Sequence, residues 1–421
     1  MKSKLCEIVL LWWYLISVTI VLSHDYEHDL TETFQVICRW KQLEYVDIPH
    51  DQGDNFYVPS SNVPFGFTRA PQSRRIFVGV NRRNFGIPST LNYFYENECY
   101  SEGNPKLRPY PDYATNSIQY NADPEKIVSI YRPKVDSCNR LWFVDTGVLE
   151  YPETNRKVVN TPSIWIMDLY TDTLIRRFTI PDGLYRTDGS GFVNIHVEID
   201  GQDCDNAHAY VSNYITHNLL VYSFGANDAW NVHHPFMDPV PGLQNMMLDG
   251  ISINFTDGIF PIALSPPGSE DRLLFFTPFS SYEEYVVPTR ILKDRSLFPN
   301  NYDPSDFIHL GSKGSDSQAP VQEINSVGVM FYPEAQKKNI KCWNTRMPLT
   351  PENTAVVYQN NQTMVYGTYV EIDENDNIWV MSDKFPIFFY RGLDMNDYNF
   401  YIVRGRSNVV RNTVCSPEYS Y

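Results

Sequence analysis

The hydrophobic positions of this chain fall into short strands that recur in pairs. Each pair consists of a very apolar strand, a polar turn and a second strand, and sustained helical periodicity is lacking. The first pair is Arg75-Ile-Phe-Val-Gly-Val80 with Leu91-Asn-Tyr-Phe-Tyr95, and the last is Asn377-Ile-Trp-Val-Met-Ser-Asp383 with Ile387-Phe-Phe-Tyr390. The four pairs between them begin at Arg140, His208, Arg272 and Val327.

The spacing of these pairs predicts a repeat architecture. Their first strands begin near residues 76, 141, 209, 273, 328 and 378, so six similar units fill the chain. Hairpin units at such a spacing, separated by Pro, Gly and Asp-Gly turns, are typical of β-propellers, whose blades pack face to face in a closed ring. We therefore predict an all-β fold, a six-bladed β-propeller. Two stacked β-sandwiches are the alternative, but the repeat crosses the middle of the chain without a linker.

The first residues have the pattern of a targeting segment. Lys2 and Lys4 precede an apolar run over residues 8–22, which is followed by Ser23. A basic start, an apolar run and small residues together predict a secretory signal peptide, residues 1–23. An uncleaved anchor is the alternative, although the run is shorter than the roughly 20 residues that usually span a bilayer. We expect a secreted, extracellular protein in which residues 24–421 form a single propeller domain.

Charge and composition narrow the possible partners. The chain has 34 Lys and Arg against 50 Asp and Glu, a net charge of −16, and 14% of its residues are aromatic. A strongly negative field repels polyanions, which argues against nucleic acid and anionic membranes as partners. Small cationic ligands are compatible with this charge. The oligomeric state is left open.

Secretion would place the cysteines in an oxidising compartment. Six cysteines remain after the predicted signal peptide, and an even number there predicts up to three disulfides, with many pairings possible. They are Cys38, Cys99, Cys138, Cys204, Cys342 and Cys415. Two Asn-x-Thr sequons, at Asn254 and Asn361, are predicted glycosylation sites.

Other candidate motifs are better explained as structure than as chemistry. Asp145-Thr-Gly147 lacks the second carboxylate that an aspartic protease needs, and we interpret it as a strand-to-turn Asp. Asp373-Glu-Asn-Asp-Asn377 lacks EF-hand spacing, and we interpret it as a polar turn before a strand. The histidines, among them His196 and His208, lack metal-ligand spacing. We expect neither a metal site nor a cofactor.

Several segments resemble the insect yellow and major royal jelly protein family. The most specific is Val135-Asp-Ser-Cys-Asn-Arg-Leu-Trp-Phe-Val-Asp-Thr-Gly147, preceded by Ile127-Val-Ser-Ile-Tyr-Arg132. The others follow in family order over roughly residues 34–415: Pro109-Tyr-Pro-Asp112, Asp257-Gly-Ile-Phe-Pro-Ile-Ala-Leu-Ser-Pro266, Cys342-Trp-Asn344, Asn377-Ile-Trp-Val-Met-Ser-Asp383 and Asn412-Thr-Val-Cys415. The resemblance implies a six-bladed propeller, in agreement with the repeat count.

The resemblance also implies particular disulfides. Members of the family usually have a disulfide between the positions of Cys204 and Cys342, and we expect Cys204–Cys342 here. Cys138 usually pairs with a cysteine that this chain lacks, and the nearest replacement is Cys99, which suggests Cys99–Cys138. Apart from the resemblance, Cys38 and Cys415 lie at opposite ends of the chain, which a propeller brings together, and this suggests Cys38–Cys415. The sequence leaves the partners of Cys38, Cys99 and Cys415 open.

The resemblance implies several alternative functions. Salivary members bind biogenic amines through an Asn side chain, and the matching residue here is Asn344. Other members act in melanisation, a subset convert dopachrome, and others are eggshell or storage proteins. Our leading hypothesis is a role in the catechol and melanin pathway of cuticle pigmentation, with a small aromatic amine or catechol bound at the channel mouth. A dopachrome isomerase, with catalytic residues not identified, is the alternative, and a structural eggshell protein without ligand is the second.

Overall fold

The computed structural model describes residues 34–49, 53, 55–117, 122–149, 157–189, 191–268 and 271–418. Within these residues, β-strands dominate and helices are few and short. The predicted signal peptide, residues 1–23, lies outside the described residues.

Six four-stranded antiparallel sheets are arranged as the blades of a propeller. The first strand of each blade contacts the first strands of both neighbouring blades, so these six strands surround a central bore. The chain starts with β1 (Phe34–Trp40), which belongs to the last blade, and two short hairpins lie outside the blades. The six-bladed prediction is confirmed.

The strands of each blade follow one another along the chain. Blade 1 contains β2 (Pro64–Ala70), β3 (Arg75–Val80), β4 (Leu91–Tyr95) and β5 (Arg108–Pro109). Blade 2 contains β6 (Lys134–Val135), β7 (Arg140–Asp145), β10 (Ser163–Asp168) and β11 (Thr173–Thr179), with a hairpin of β8 (Val148–Leu149) and β9 (Lys157–Val158) inserted. Blade 3 contains β12 (Phe192–Ile199), β13 (Ala207–Asn213), β14 (Asn218–Ser223) and β15 (Asp228–Val232).

The second half of the ring repeats this order. A hairpin of β16 (Asn245–Leu248) and β17 (Ile251–Asn254) precedes blade 4, which contains β18 (Ile259–Leu264), β19 (Leu273–Pro278), β20 (Glu283–Pro288) and β21 (Ile308–Ser312). Blade 5 contains β22 (Glu323–Ile324), β23 (Val329–Glu334), β24 (Asn339–Asn344) and β25 (Thr354–Gln359). Blade 6 contains β26 (Tyr366–Ile372), β27 (Ile378–Asp383) and β28 (Phe400–Gly405), completed by β1.

The strand pairs predicted from the sequence are the second and third strands of the blades. The predicted first strands correspond to β3, β7, β13, β19, β23 and β27, each of which is fully buried along its length except for the first residue of β19. The innermost strands were missed because they line the bore and carry polar residues. In β12, for example, Asn194, His196 and Glu198 interrupt the apolar pattern.

Three α-helices connect or follow blade strands: α1 (Glu96–Ser101), α2 (Thr289–Lys293) and α3 (Phe385–Arg391). The prediction of a strand at Ile387-Phe-Phe-Tyr390 is therefore wrong, and the third strand of blade 6 is β28. Pro386 occupies the first turn of α3, where its missing N–H costs nothing. None of the helices in the described ranges has both the length and the apolar character needed to traverse a bilayer.

Strand pairing, and not the predicted Cys38–Cys415 disulfide, joins the two ends of the described chain. Strand β1 pairs antiparallel with β28, from Phe34 opposite Gly405 to Trp40 opposite Phe400. Residues from the two ends of the described chain therefore share one sheet. Closure in this way completes the outer edge of the last blade with a strand from the start of the described chain.

The structure contains three disulfides, but all three predicted pairings are wrong. The observed bonds are Cys38–Cys99, Cys138–Cys204 and Cys342–Cys415, with Cα–Cα distances of 4.9, 6.1 and 6.0 Å. Each bond joins elements of neighbouring blades: blades 6 and 1, blades 2 and 3, and blades 5 and 6. The predicted Cys204–Cys342 bond would have joined blades 3 and 5, which are not neighbours.

The two acidic motifs have structural roles, as predicted. The carboxylate of Asp373 accepts hydrogen bonds from the backbone N–H of Asn375 and Asn377 and from Nε1 of Trp379 (2.8 Å), which fixes the turn between β26 and β27. The buried carboxylate of Asp145 accepts three backbone N–H bonds, from Val128, Ser129 and Gly147. Carboxylates bonded in this way organise turns, and these two sites need no catalytic explanation.

Candidate functional site

A cavity of about 210 Å³ lies at one end of the bore. Eight of its lining residues are aromatic, and two are charged. We call this set the aromatic mouth: Phe65, Arg83, Tyr131, Tyr214, Phe255, Asp257, Phe260, Phe279, Tyr366 and Phe385.

The alternation of strand direction explains why these residues meet. Phe65, Phe260 and Tyr366 lie at the start of the inner strands β2, β18 and β26. Tyr214 and Phe279 follow the second strands β13 and β19, which run antiparallel to the inner strands and end at the same face. Strand starts and strand ends from several blades therefore converge at one end of the bore.

The aromatic rings contact one another around the cavity. Phe65 packs edge-on against Tyr131 and Phe385, with centroid distances of 4.8 and 5.0 Å. Across the cavity, Phe260 contacts Phe279 at 5.5 Å. Such contacts add about 0.5–1.5 kcal/mol per pair to the gain from burial. The wall is therefore held in place before any ligand arrives.

Two glycines allow the segments of the mouth to pack closely. A Cβ on Gly258 would lie 2.5 Å from the ring of His217, and a Cβ on Gly79 would lie 2.0 Å from the carbonyl oxygen of Tyr131. Both distances are far below van der Waals contact. Gly258 thereby positions its neighbour Asp257, and Gly79 permits the approach of the segment that carries Tyr131.

Among the lining residues of the mouth in the described chain, two carry a charge: Asp257 has a carboxylate and Arg83 has a guanidinium. Asp257 is half-buried, and its backbone oxygen accepts from Ser280 N. The Arg83 guanidinium carbon lies 5.3 Å from the centroid of Phe385 and 5.2 Å from that of Phe389, and Nη1 donates to the Tyr131 hydroxyl at 3.4 Å. Opposite charges thus lie in a largely apolar cavity.

Two buried charged residues, Asp383 and Arg132, lie next to the residues that line the mouth. Asp383 is only 1% exposed, lies opposite Tyr366 in the sheet, and accepts from Phe385 N at 2.8 Å. Burial raises the pKa of Asp383 to about 7. The guanidinium of Arg132 donates to the carbonyls of Pro320 (3.1 Å) and Thr368 (2.8 Å), and burial lowers its pKa to about 10.

A second charged layer lies deeper in the bore. Lys134 Nζ lies 3.3 Å from Glu323 Oε1 and 3.9 Å from Glu371 Oε2. His196 Nε2 lies 3.5 Å from Glu323 Oε2, and burial, with Lys134 nearby, holds the His196 pKa well below its usual value. Within the described residues, no group of His, Cys, Asp or Glu has the arrangement of a metal site. Lys134 supplies the positive charge between the carboxylates.

Comparison with known proteins identifies the family. A family model described as "Major royal jelly protein" matches residues 128–415, more than half of the chain. The chain belongs to the yellow/major royal jelly protein family. The resemblance drawn from the sequence motifs is thereby confirmed.

Three Drosophila melanogaster members of this family are similar over most of their lengths. "L-dopachrome tautomerase yellow-f" is 39% identical over 364 residues, 85% of this chain and 83% of that protein. "Dopaminechrome tautomerase" is 31% identical over 402 residues, 92% of this chain and 85% of that protein. "Protein yellow" is 32% identical over 415 residues, 96% of this chain and 74% of that protein.

Asn344, the family-derived ligand residue, lies away from the aromatic mouth. It ends β24 opposite Val329, the start of β23, and therefore lies toward the other face of the ring. Its side chain is 1% exposed, accepts from Arg346 N and donates to the carbonyl of Ser416 at 3.3 Å. Binding of an amine by Asn344 stays a prediction, and it would occur at a different place from this cavity.

The two predicted glycosylation sites are both accessible. Asn254 ends β17 and Asn361 lies between β25 and β26, and both side chains are exposed. Glycosylation at Asn254 and Asn361 stays a prediction.

Some residues of the mouth lie in segments that the sequence motifs mark, although the motifs do not give their roles. Three segments that carry the family resemblance contain Tyr131, Asp257 and Asp383, and the fold brings these residues to the same end of the bore. Arg83 and Phe385 lie outside those segments and were missed. Their only sequence signal is their position just after a predicted buried strand.

Asp383 should make the stability of the protein depend on pH. The usual aspartate pKa of 3.8 is raised to about 7 in the fold, so between about pH 4 and 7 the folded state holds a proton that the unfolded chain releases. The stabilisation of the folded state by protonated Asp383 is therefore fully present below pH 4 and is lost as the pH rises through 7.

Urea unfolding of wild type and Asp383→Asn from pH 4.5 to 8 measures this contribution. We expect the difference in unfolding free energy to shift in favour of the variant as the pH rises, and to level off as the pH rises beyond 7. Parallel curves would contradict the raised pKa. Asparagine retains the oxygen that accepts from Phe385 N, so the turn is preserved.

Proposed function

We propose that this protein is an extracellular tautomerase of aminochromes, the indoline quinones of the catechol and melanin pathway, and that the aromatic mouth is its active site. The observation that carries the proposal is the carboxylate of Asp257 in an aromatic-walled cavity. Two similar family members are named as tautomerases of dopachrome and dopaminechrome. Those names favour the enzyme over the amine-binding alternative. The three disulfides fit an extracellular protein.

The cavity suits a flat bicyclic substrate in shape and surface. Its volume of about 210 Å³ lies below the roughly 300–1,000 Å³ typical of pockets for drug-sized ligands, as a small substrate requires. Stacking against rings such as Phe65 and Phe260 would bind the ring system of the substrate whether or not the substrate carries a charge. Because the rings already contact one another, little ordering is needed on binding.

The reaction needs only proton transfer. Tautomerisation of an aminochrome breaks two C–H bonds on the saturated ring and forms two O–H bonds on the quinone oxygens, while the bonding electrons move into the ring system. Asp257 accepts the first proton as a general base and then releases it to solvent, solvent accepts the second proton, and the two quinone oxygens take two protons from solvent. No electron leaves the molecule, so the step requires no oxidant, reductant or cofactor.

Binding of an aromatic amine is the second candidate for the same cavity. Asp257 could pair with an ammonium group, and the surrounding ring faces could add a cation–π attraction of about 0.5–2 kcal/mol. The net charge of −16 favours the approach of a cation. This candidate requires no turnover, which separates it from the tautomerase.

The test uses purified wild-type protein with two measurements. We would follow the decay of dopachrome and dopaminechrome by absorbance, and titrate dopamine by calorimetry. Accelerated, saturable decay of either aminochrome supports the proposed activity. Dopamine binding with unchanged decay supports the carrier. If the protein neither accelerates the decay nor binds dopamine, both candidates are overturned in favour of a structural role.

A further inference from the structure

We propose that Arg83 selects aminochromes that carry a carboxylate on the saturated ring. The proposal rests on the proposed function for the choice of substrate class, but its geometry stands independently. It assigns to Arg83 the role of a specificity-determining residue, in which the guanidinium pairs with the carboxylate while the ring system lies among the aromatic side chains.

The position of Arg83 is fixed by three aromatic residues. Its guanidinium carbon lies 5.3 Å from the ring of Phe385 and 5.2 Å from that of Phe389, and Nη1 donates to the Tyr131 hydroxyl. Arginine stacks on aromatic faces while its N–H donors lie in the plane of the group. A guanidinium has five such donors, so it can bond to Tyr131 and to a carboxylate at the same time.

Because the whole protein is negatively charged, binding a substrate with a carboxylate requires a positive group in the cavity. The net charge of −16 and the carboxylate of Asp257 in the same cavity both disfavour an anionic ligand. A decarboxylated aminochrome would avoid this repulsion. Among the lining residues of the described chain, Arg83 is the one positive charge that can reverse the preference.

Arg132 does not fill this role, although it lies close by. Its guanidinium is buried beneath the cavity and donates to the carbonyls of Pro320 and Thr368. Those bonds hold two blades together. Arg83, by contrast, is partly exposed and lines the cavity itself.

Arg83→Gln tests the role of the charge, because glutamine keeps a polar side chain but removes the positive charge. Because the variant loses a charge-assisted hydrogen bond to the carboxylate, we expect kcat/KM for dopachrome to fall about 10- to 100-fold, mainly through a higher KM. For dopaminechrome, which lacks the carboxylate, we expect a change of less than about threefold. The matched control is Arg39→Gln, since Arg39 also stacks on a tyrosine, at 4.4 Å from the ring of Tyr398, but outside the mouth.

A binding measurement separates this proposal from the proposed activity. Calorimetry with indole-2-carboxylate and indole, which do not react, should show tighter binding of the carboxylate by wild type and loss of that preference in Arg83→Gln. If wild type turns over neither aminochrome, the activity is refuted, while the indole pair still tests Arg83. Equal losses for both ligands in Arg83→Gln, or an unchanged preference, would overturn the assignment. Thermal melting of the variant checks that the fold is intact.

Discussion

Replacing Asp257 with asparagine should lower kcat for aminochrome tautomerisation by about 10²- to 10⁴-fold, the usual contribution of a general base. The amide has nearly the same shape as the carboxylate but cannot accept the proton. Since Asp257 is half-buried at the mouth rather than in a blade core, the melting temperature should change little. Loss of rate with an intact fold would identify Asp257 as the base.

Two further variants make the result decisive. Asp205→Asn changes an exposed aspartate in the turn between β12 and β13, remote from the mouth, and should leave the rate unchanged. Asp383→Asn removes the carboxyl group beneath the cavity, whose pKa of about 7 also suits a base. If Asp257→Asn retains the wild-type rate and Asp383→Asn loses it, the base is the Asp383 carboxyl and our assignment is wrong.

Replacing Lys313 with methionine should destabilise the fold by about 3–5 kcal/mol, the typical cost of leaving a buried charge unpaired. Lys313 Nζ lies 2.7 Å from Glu284 Oε2, and both side chains are completely buried. Thr277 and Gln322 complete the network: each bonds to both charged groups, at 2.6 to 3.3 Å. Because Gln322 precedes β22 and Glu284 lies in β20, the network joins blades 4 and 5.

Denaturant unfolding with two comparisons tests this network. The double variant Lys313→Met/Glu284→Gln leaves no unpaired charge and should recover part of the loss. Arg290→Gln breaks an exposed ion pair with Asp271, at 56% and 47% exposure, and should cost less than about 1 kcal/mol. A Lys313→Met variant as stable as Arg290→Gln would contradict the role given to the buried pair.

The sequence predicts the number of blades because the second strand of each blade is buried on both faces. Strands such as β7 and β13 are buried throughout, and their apolar central residues stand out from the surrounding sequence. The inner strands are less apparent, because one face meets the charged bore and carries residues such as His196 and Glu323. The apolar segment of α3 resembles a strand in composition, although Pro386 in its first turn is compatible with a helix start.

Contacts between distant segments were the least predictable part of the structure. Family resemblance suggested disulfide partners, but the actual pairs depend on which blades are neighbours and on which face of the ring each cysteine lies. A motif also does not show the face at which its strand ends, so the position of Asn344 relative to the aromatic mouth could not be predicted. Tyr131, Asp257 and Asp383 lie in segments that carry the family resemblance, but they come close together only when the ring of blades is closed.

Closure of the ring by β1 and β28 has a consequence for synthesis on the ribosome. Strand β1 is made early, but its partner at Phe400–Gly405 is translated only after five complete blades have emerged. At about 5–20 residues per second, this interval lasts tens of seconds. The partner of Cys38, Cys99, is translated much sooner, and their disulfide can tether β1 beside blade 1 until the last blade arrives. The Cys38–Cys99 disulfide can therefore form before the sheet of blade 6, which contains β1, is complete.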